Sequence, residues 1–201
     1  MHDPRMFSAA CERNREPILE VLREALPERG LVLEIASGTG MHGAWFAPRL
    51  GPAIVWQPTD ASPEALASIE AWRASVSAPN LLPPRQLDVT EASWPVDEAD
   101  AIFSANMIHI APWACTEGLF AGAERVLDGG APLVLYGPFL RDDVATAPSN
   151  VAFDESLRAR NPAWGIRALA AVSDVAGQRG FALEGVVDMP ANNVIVTFRR
   201  Q

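Results

Sequence analysis

Short apolar runs alternate with helix-length amphipathic segments along most of this chain, and that alternation leaves few architectures open. Strand-like runs occupy residues 31–36, 54–59, 86–89, 99–105 and 133–137. Helical spacing fills residues 17–26, 42–50, 114–127 and 166–179. A further helix begins after Ser62, with Pro63 at its first position, and runs to about residue 76. Strands linked by helices imply a parallel sheet covered on both faces. Residues 181–187 and 194–198 read as two more strands in a hairpin-like arrangement. Residues 138–164 break the rhythm. They read as a long polar excursion with a short helical stretch at 153–160, and ordered loops of that length are usually functional.

A chain of 201 residues suits one domain that buries its own core. The reading is a single domain over residues 1–201, with a cap and first helix at 1–30 and a lid-like insertion at 138–164. The net charge of −9 argues against a nucleic-acid partner, which needs a basic field. Its 16 cationic side chains are all Arg. Cys11 and Cys115 are too few for a disulfide framework, and no Cys or His cluster suggests a metal. No run reaches the ~20 apolar residues a membrane helix needs. Residues 1–15 are polar and carry no secretory run, so a cytoplasmic monomer or homodimer is expected.

The central motif is Glu34-Ile35-Ala36-Ser37-Gly38-Thr39-Gly40, in which a strand delivers its end to a Gly-rich turn. Glycines let the backbone approach a ligand, and ligands of such sheets lie beyond the carboxyl ends of the strands. Glu34 suits a cationic ligand such as S-adenosylmethionine, which carries an ammonium and a sulfonium. Asp60, about 20 residues on at the second strand's end, is placed to accept from a ribose diol. Asp88 at the third strand's end suits the adenine amino group, with the Val89 N–H beside it. Singly, each carboxylate is also open to reading as a helix cap; three at successive strand ends point to a nucleoside.

Gly38-Thr39-Gly40-Met41-His42-Gly43 also matches the dinucleotide fingerprint. Against an NAD-dependent oxidoreductase stand Ala36 at the usual first glycine and Glu34 near what would be a pyrophosphate. The chain also has little room for a substrate domain.

The chain resembles class I S-adenosylmethionine-dependent methyltransferases. More narrowly it resembles the bacterial family of the domain of unknown function 938, which has a methyltransferase-like relative in animals. The resemblance rests on residues 11–19, 33–40 with His42, 56–60 and 106–113, and continues through 135–139, Ser149-Asn150, Phe153-Asp154, 162–165 and 189–193. It implies a Rossmann-like α/β fold: a seven-stranded, mostly parallel sheet with an antiparallel last strand and helices on both faces. It also implies S-adenosylmethionine as cofactor, S-adenosylhomocysteine as product, and contacts from Glu34, Ala36, Ser37, Gly38, Gly40, Asp60, Asp88, Val89 and Asn106. Two departures stand out. Ala36 replaces a common glycine, a mild change if its φ is negative, and Met41 sits where Gln is expected.

Residues 106–113 lie where that class places catalytic groups. His109 is read either as a general base or as an oriented structural histidine beside Trp113. Tyr136, the only tyrosine, is read as an acceptor contact, as a group that orients His109, or as a core residue with its hydroxyl at the rim. Arg13 and Asn14 are candidates to clamp the cofactor carboxylate, with a solvated helix face as the alternative. Asn150 joins His109 and Tyr136 as a catalytic candidate. Ser149, Trp113, Trp164, Asn192 and Asn193 are expected to line an acceptor pocket. Direct displacement requires alignment and no covalent enzyme intermediate. The leading expectation is methyl transfer to a small molecule. A non-catalytic cofactor-binding or assembly protein of the same fold is the alternative.

Overall fold

The computed structural model describes residues 3–201; Met1 and His2, the start of the polar N-terminal stretch, lie outside them. The chain order is α1 (Ala9–Ala25), β1 (Gly30–Ile35), α2 (Met41–Leu50), β2 (Ile54–Asp60), α3 (Pro63–Ala74), β3 (Arg85–Gln86) and β4 (Ala101–Ala105). A 3-10 turn (Met107–His109) follows, then α4 (Trp113–Val126), β5 (Pro132–Gly137), β6 (Phe139–Leu140), α5 (Pro148–Arg160), β7 (Arg167–Ala168) and α6 (Leu169–Gln178). β8 (Phe181–Met189), a second 3-10 turn (Pro190–Asn192) and β9 (Asn193–Arg200) close the chain.

Seven strands form one sheet in the order β3-β2-β1-β4-β5-β9-β8. Only β9 runs against its neighbours, pairing antiparallel with both β5 and β8, which is the expected reversal of the last strand. Alternation along the central strands feeds two cores. Leu33, Ile35, Ile102 and Leu135 pack with α4 and α6 on one face. Val32, Phe103, Val134 and Tyr136 meet Ile18, Leu19 and Leu22 of α1 and Phe46 of α2 on the other.

Four local expectations need correction. Helix α1 starts at Ala9 rather than Pro17, because the Ser8 side chain caps it by accepting the Cys11 N–H. Pro17 therefore lies inside the helix, where it lacks the N–H that would bond the Arg13 carbonyl. The third strand is only Arg85–Gln86, so Asp88 lies in the loop beyond it. Residues 148–160 are a full helix, opened by Pro148 and not an irregular loop. Helix α6 starts at Leu169 because Arg167 and Ala168 pair with Phe139 and Leu140 in a small parallel ladder.

The segment before α1 is tied down. The Met6 N–H donates to Ser68 Oγ at 2.8 Å, and its carbonyl accepts the Trp72 indole N–H at 2.8 Å. Ser68 Oγ in turn donates to the Thr39 carbonyl at 2.7 Å, joining this segment to the Gly-rich turn.

Candidate active site

The turn after β1 is zipped to β2. The Ser37 N–H donates to the Thr59 carbonyl at 2.8 Å, and Ser37 Oγ accepts the Thr59 N–H at 3.2 Å. The Ser37 hydroxyl thus faces inward, leaving its peptide at the loop. Gly38 and Gly40 hold φ of 58° and 84°, and Ala36 holds φ of 55°. The condition under which alanine would be a mild replacement is not met, since a Cβ in this left-handed region costs roughly 1–2 kcal/mol. A Cβ on Gly38 would meet open space, while one on Gly40 would lie 2.6 Å from Ile69 Cα. Gly40 thus admits α3 against the turn, and the face above Gly38 is clear.

Glu34 is buried and accepts the Trp56 indole N–H at 2.9 Å. Burial pushes its carboxyl up to about 7; bonds from Trp56 and Ser37 pull the other way, and the nearby Asp60 charge adds to the rise. Asp60 accepts the Gly38 N–H at 2.9 Å on one oxygen and the Ser62 N–H at 2.9 Å on the other. Asp88 is exposed, and its Oδ1 accepts both the backbone N–H and the hydroxyl of Thr90, which hold the carboxyl below its usual range. The adjacent Val89 is buried, and its carbonyl packs where Gly118 has no Cβ. Two of the three carboxylates therefore already brace backbone. A carboxylate offers about four lone-pair sites, so both retain capacity for a ligand.

A cavity of about 400 Å³ opens beside this edge, lined by Arg13, Asn14, Asn106, Tyr136, Ser149, Asn150 and Asn193 together with Ala10, Pro138, Phe153 and Ala191. Seven of the expected site residues are thus brought together by α1, the ends of β4 and β5, the start of α5 and the β8–β9 connection. Asn106, at φ 62°, donates its N–H to the Tyr136 carbonyl at 2.8 Å. Asn192 lines an adjoining cavity of about 260 Å³ that shares Asn150 and Asn193. Between the two cavities, Asn150 donates to the Asn192 carbonyl at 2.9 Å and Asn192 donates to Ser149 Oγ at 3.0 Å.

Trp113 and Trp164 line neither cavity. Trp113 lies under the Arg167 guanidinium at 5.7 Å, and Trp164 beside Arg160 at 5.5 Å. His109 is fully buried. Its Nδ1 accepts the Arg167 N–H at 3.3 Å, and its carbonyl accepts the Gly165 N–H at 2.9 Å. Nε2 has no hydrogen-bond partner among the described residues, and burial pushes the imidazole down to about 3. The ring meets Phe139 edge-on at 4.9 Å, and a Cβ on Gly137 would sit 2.7 Å from Nε2.

Two residues outside the expected site set organise this edge. Arg167 donates to the carbonyls of Ile108, Ala111 and Ala163 at 2.9, 2.6 and 2.8 Å, stapling the base of α5 to the turn that carries His109. His42, noted only within the family pattern, is buried with Nε2 2.8 Å from Asn14 Oδ1.

The same fold recurs among solved proteins. Mitomycin 7-O-methyltransferase MmcR superposes with a TM-score of 0.79 at 15% identity, over 96% of this chain and 55% of that one. An O-methyltransferase family 2 protein from Planctomyces limnophilus DSM 3776, in complex with apigenin, gives 0.75 at 15% identity, over 93% and 62%. CalO1, a methyltransferase in calicheamicin biosynthesis in its SAH-bound form, gives 0.71 at 16% identity, over 93% and 54%. These identities establish likeness of fold, and the chain spans only 54% to 62% of these three proteins. A family described as a protein of unknown function, DUF938, matches residues 5–200, and the chain belongs to it.

Proposed function

We propose that this protein transfers a methyl group from S-adenosylmethionine to a small-molecule acceptor by direct displacement. The observation that carries the reading is the Gly-rich turn after β1, with Glu34 near the end of β1, Asp60 at the end of β2 and Asp88 two residues past β3, beside a cavity of about 400 Å³. The donor set fits the cofactor: Glu34 is a buried carboxylate suited to a cation, and the face above Gly38 is open. When bound, the cofactor supplies an electrophilic methyl on a sulfonium. The names of solved proteins with this fold, several of them methyltransferases, agree with that choice.

On this reading Asp60 receives the ribose hydroxyls, and Asp88 with the Val89 N–H receives the base. Asn106 faces the amino-acid part. Tyr136, Asn150, Ser149 and Asn193 orient the acceptor. His109 acts as a positioning residue: with Nδ1 accepting from Arg167, Nε2 carries the proton and offers no lone pair to a substrate. The start of α5 and residues 7–15 form the walls of the acceptor cavity and exclude water when closed over ligand. The whole chain acts as one catalytic domain.

The test is calorimetry with S-adenosylhomocysteine and with NAD, followed by turnover to S-adenosylhomocysteine in metabolite extracts. Preferential binding of S-adenosylhomocysteine together with turnover is expected. Tighter NAD binding would replace the reading with a dehydrogenase, and cofactor binding with silence across broad extracts would favour the non-catalytic alternative.

A further inference from the structure

The two cavities at the sheet edge adjoin at the turn Pro190–Asn192, and Asn150 and Asn193 line both of them. Ala191 and Asn192 hold φ of 59° and 58° in succession, a left-handed pair that the alanine Cβ disfavours. Side-chain amides hold this turn in place. Asn193 Nδ2 donates to the Pro190 and Ala191 carbonyls at 3.2 and 3.3 Å, and Asn150 Nδ2 donates to the Asn192 carbonyl at 2.9 Å. All three carbonyls of the turn are thus capped by two asparagines. Backbone strain enforced by its surroundings in this way gathers at ligand clamps.

A backbone carbonyl can only accept, so both amides are fixed with their NH2 toward the turn and Oδ1 turned away from it. Among the described residues neither Oδ1 has a hydrogen-bond partner. Asn192 follows the same pattern, giving its NH2 to Ser149 Oγ at 3.0 Å. In the smaller cavity Asp188 is held through Oδ1 by Arg141 at 2.7 Å, and Arg141 is shared with Asp143 at 3.2 Å. One cation therefore faces two carboxylates, and the rim keeps an excess of negative charge. Buried Phe139, Met189 and Val194 supply the apolar part of this cavity's lining. Arg13, the cation of the larger cavity, does not reach the smaller one. The junction thus offers acceptors and negative charge beside an apolar wall, and its complement is a positive group with several N–H donors on an apolar body. A carboxylate there would meet acceptor oxygens, and an alcohol brings only one donor. We infer that the junction binds the primary ammonium of an amine-bearing small molecule, held by Asn150, Asn193 and Asp188, with its apolar body in the smaller cavity. The net charge of −9 favours approach of such a cation. That this amine is the methyl acceptor rests on the proposed methyl transfer; the binding of an amine does not.

Benzylammonium, benzyl alcohol and benzoate share a body and differ in the head group. They are titrated near neutral pH into the full chain, with and without S-adenosylhomocysteine. The readout is the nitrogen-15 side-chain NH2 signals of Asn150 and Asn193, assigned by their loss in Asn150→Ser and Asn193→Ser. Benzylammonium is expected to move both signals saturably and to bind about tenfold or more tightly than benzyl alcohol, with benzoate weaker still. Asn193→Leu replaces the amide by an apolar group of similar size. It is expected to weaken benzylammonium about tenfold and to change benzyl alcohol less than about threefold.

Benzoate or benzyl alcohol binding as tightly as benzylammonium overturns the amine site. So does the absence of a saturable benzylammonium shift both with and without S-adenosylhomocysteine, or an Asn193→Leu protein that binds all three probes as wild type does. Should Asn193→Leu not fold, the three-probe comparison on the unaltered protein decides alone. Absence of S-adenosylhomocysteine binding by calorimetry removes the methyl-transfer reading and leaves the amine site to stand or fall on the titrations. S-adenosylhomocysteine binding without a benzylammonium shift removes the amine site and leaves the cofactor reading intact.

Discussion

The Trp56 indole N–H meets the Glu34 carboxylate at 2.9 Å inside the protein, beneath the Gly-rich turn. That bond does not offset the loss of water, and burial holds the carboxyl at about 7, against an ordinary value of 4.5. A folded-state value above the unfolded one means that folding favours the protonated form, so Glu34's contribution to stability is fully present below about 4.5 and is lost as pH rises through about 7. Glu34→Gln does not titrate. The stability of the variant relative to wild type should therefore rise across that interval and level off above it, by roughly 1–3 kcal/mol in all. Denaturant unfolding of the ligand-free proteins at several pH values checks this, and a constant difference would refute it.

The same titration links to ligand. A cationic cofactor prefers the carboxylate, so S-adenosylmethionine affinity should increase as pH rises toward about 8, with proton uptake or release visible in the buffer dependence of the binding heat. In Glu34→Gln that rise should vanish. A parallel rise in both proteins would assign the effect to another group.

Asp60 holds Gly38 and Ser62 as well as the proposed ribose contact. Asp60→Asn keeps one acceptor oxygen, sets an amide NH2 against the other backbone N–H and removes the charge, so S-adenosylhomocysteine affinity should fall about 10- to 100-fold and stability by about 1 kcal/mol. Asp60→Ala should lose affinity and also roughly 1–2 kcal/mol of stability, because two backbone donors lose their partner. Equal binding by Asn and wild type would remove the ribose role.

Ala36 carries backbone strain at φ 55° that its neighbours enforce. Ala36→Gly should stabilise the fold by about 0.5–1 kcal/mol, the left-handed penalty less the extra entropy of an unfolded glycine. Thermal unfolding of the two proteins gives the sign directly, and a destabilised glycine variant would mean the strain is relaxed elsewhere.

Asn150 joins α5 to the turn at Asn192 in an exposed setting, so its removal should cost under about 1 kcal/mol of stability. If α5 closes over the acceptor, Asn150→Ala should nonetheless reduce turnover far more than S-adenosylhomocysteine binding. Trp164→Ala, lying off the cavity beside Arg160, should leave turnover within a few-fold of wild type. Proteolysis within residues 141–147 should slow when cofactor and acceptor are both bound. Unchanged turnover and unchanged cleavage for Asn150→Ala would return the acceptor to the Asn106 edge alone.

The legible parts of the molecule were those written in local pattern. Strands β1, β2, β4 and β5, the cap at Ser62 and Asp60 at the end of β2 follow from runs of residues whose neighbours in sequence are also their neighbours in space. Helix α5 was hidden because it buries only Leu157, so it carries no apolar stripe to read. The first two turns of α1 were hidden by Pro17, which ordinarily marks a helix start and here lies inside one. The sign of φ at Ala36 depends on the turn around it. His42 and Arg167 draw their roles from partners 28 and up to 59 residues away, which no spacing rule reaches.

The pinned Met6 backbone makes the two ends of the chain unequal neighbours of the chemistry. Ser68 Oγ holds Met6 and Thr39 at once, and the Ser8 N–H reaches Met41 Sδ at 3.2 Å, so pulling on the leading segment tugs the Gly-rich turn. At the other end, the Gln201 N–H bonds the Gly180 carbonyl at the opening of β8, remote in the sheet order from β1 and β2. A surface anchor or fluorophore attached near Gln201 should therefore report on the molecule without disturbing it, whereas the same group joined ahead of Met6 would be felt at Gly38.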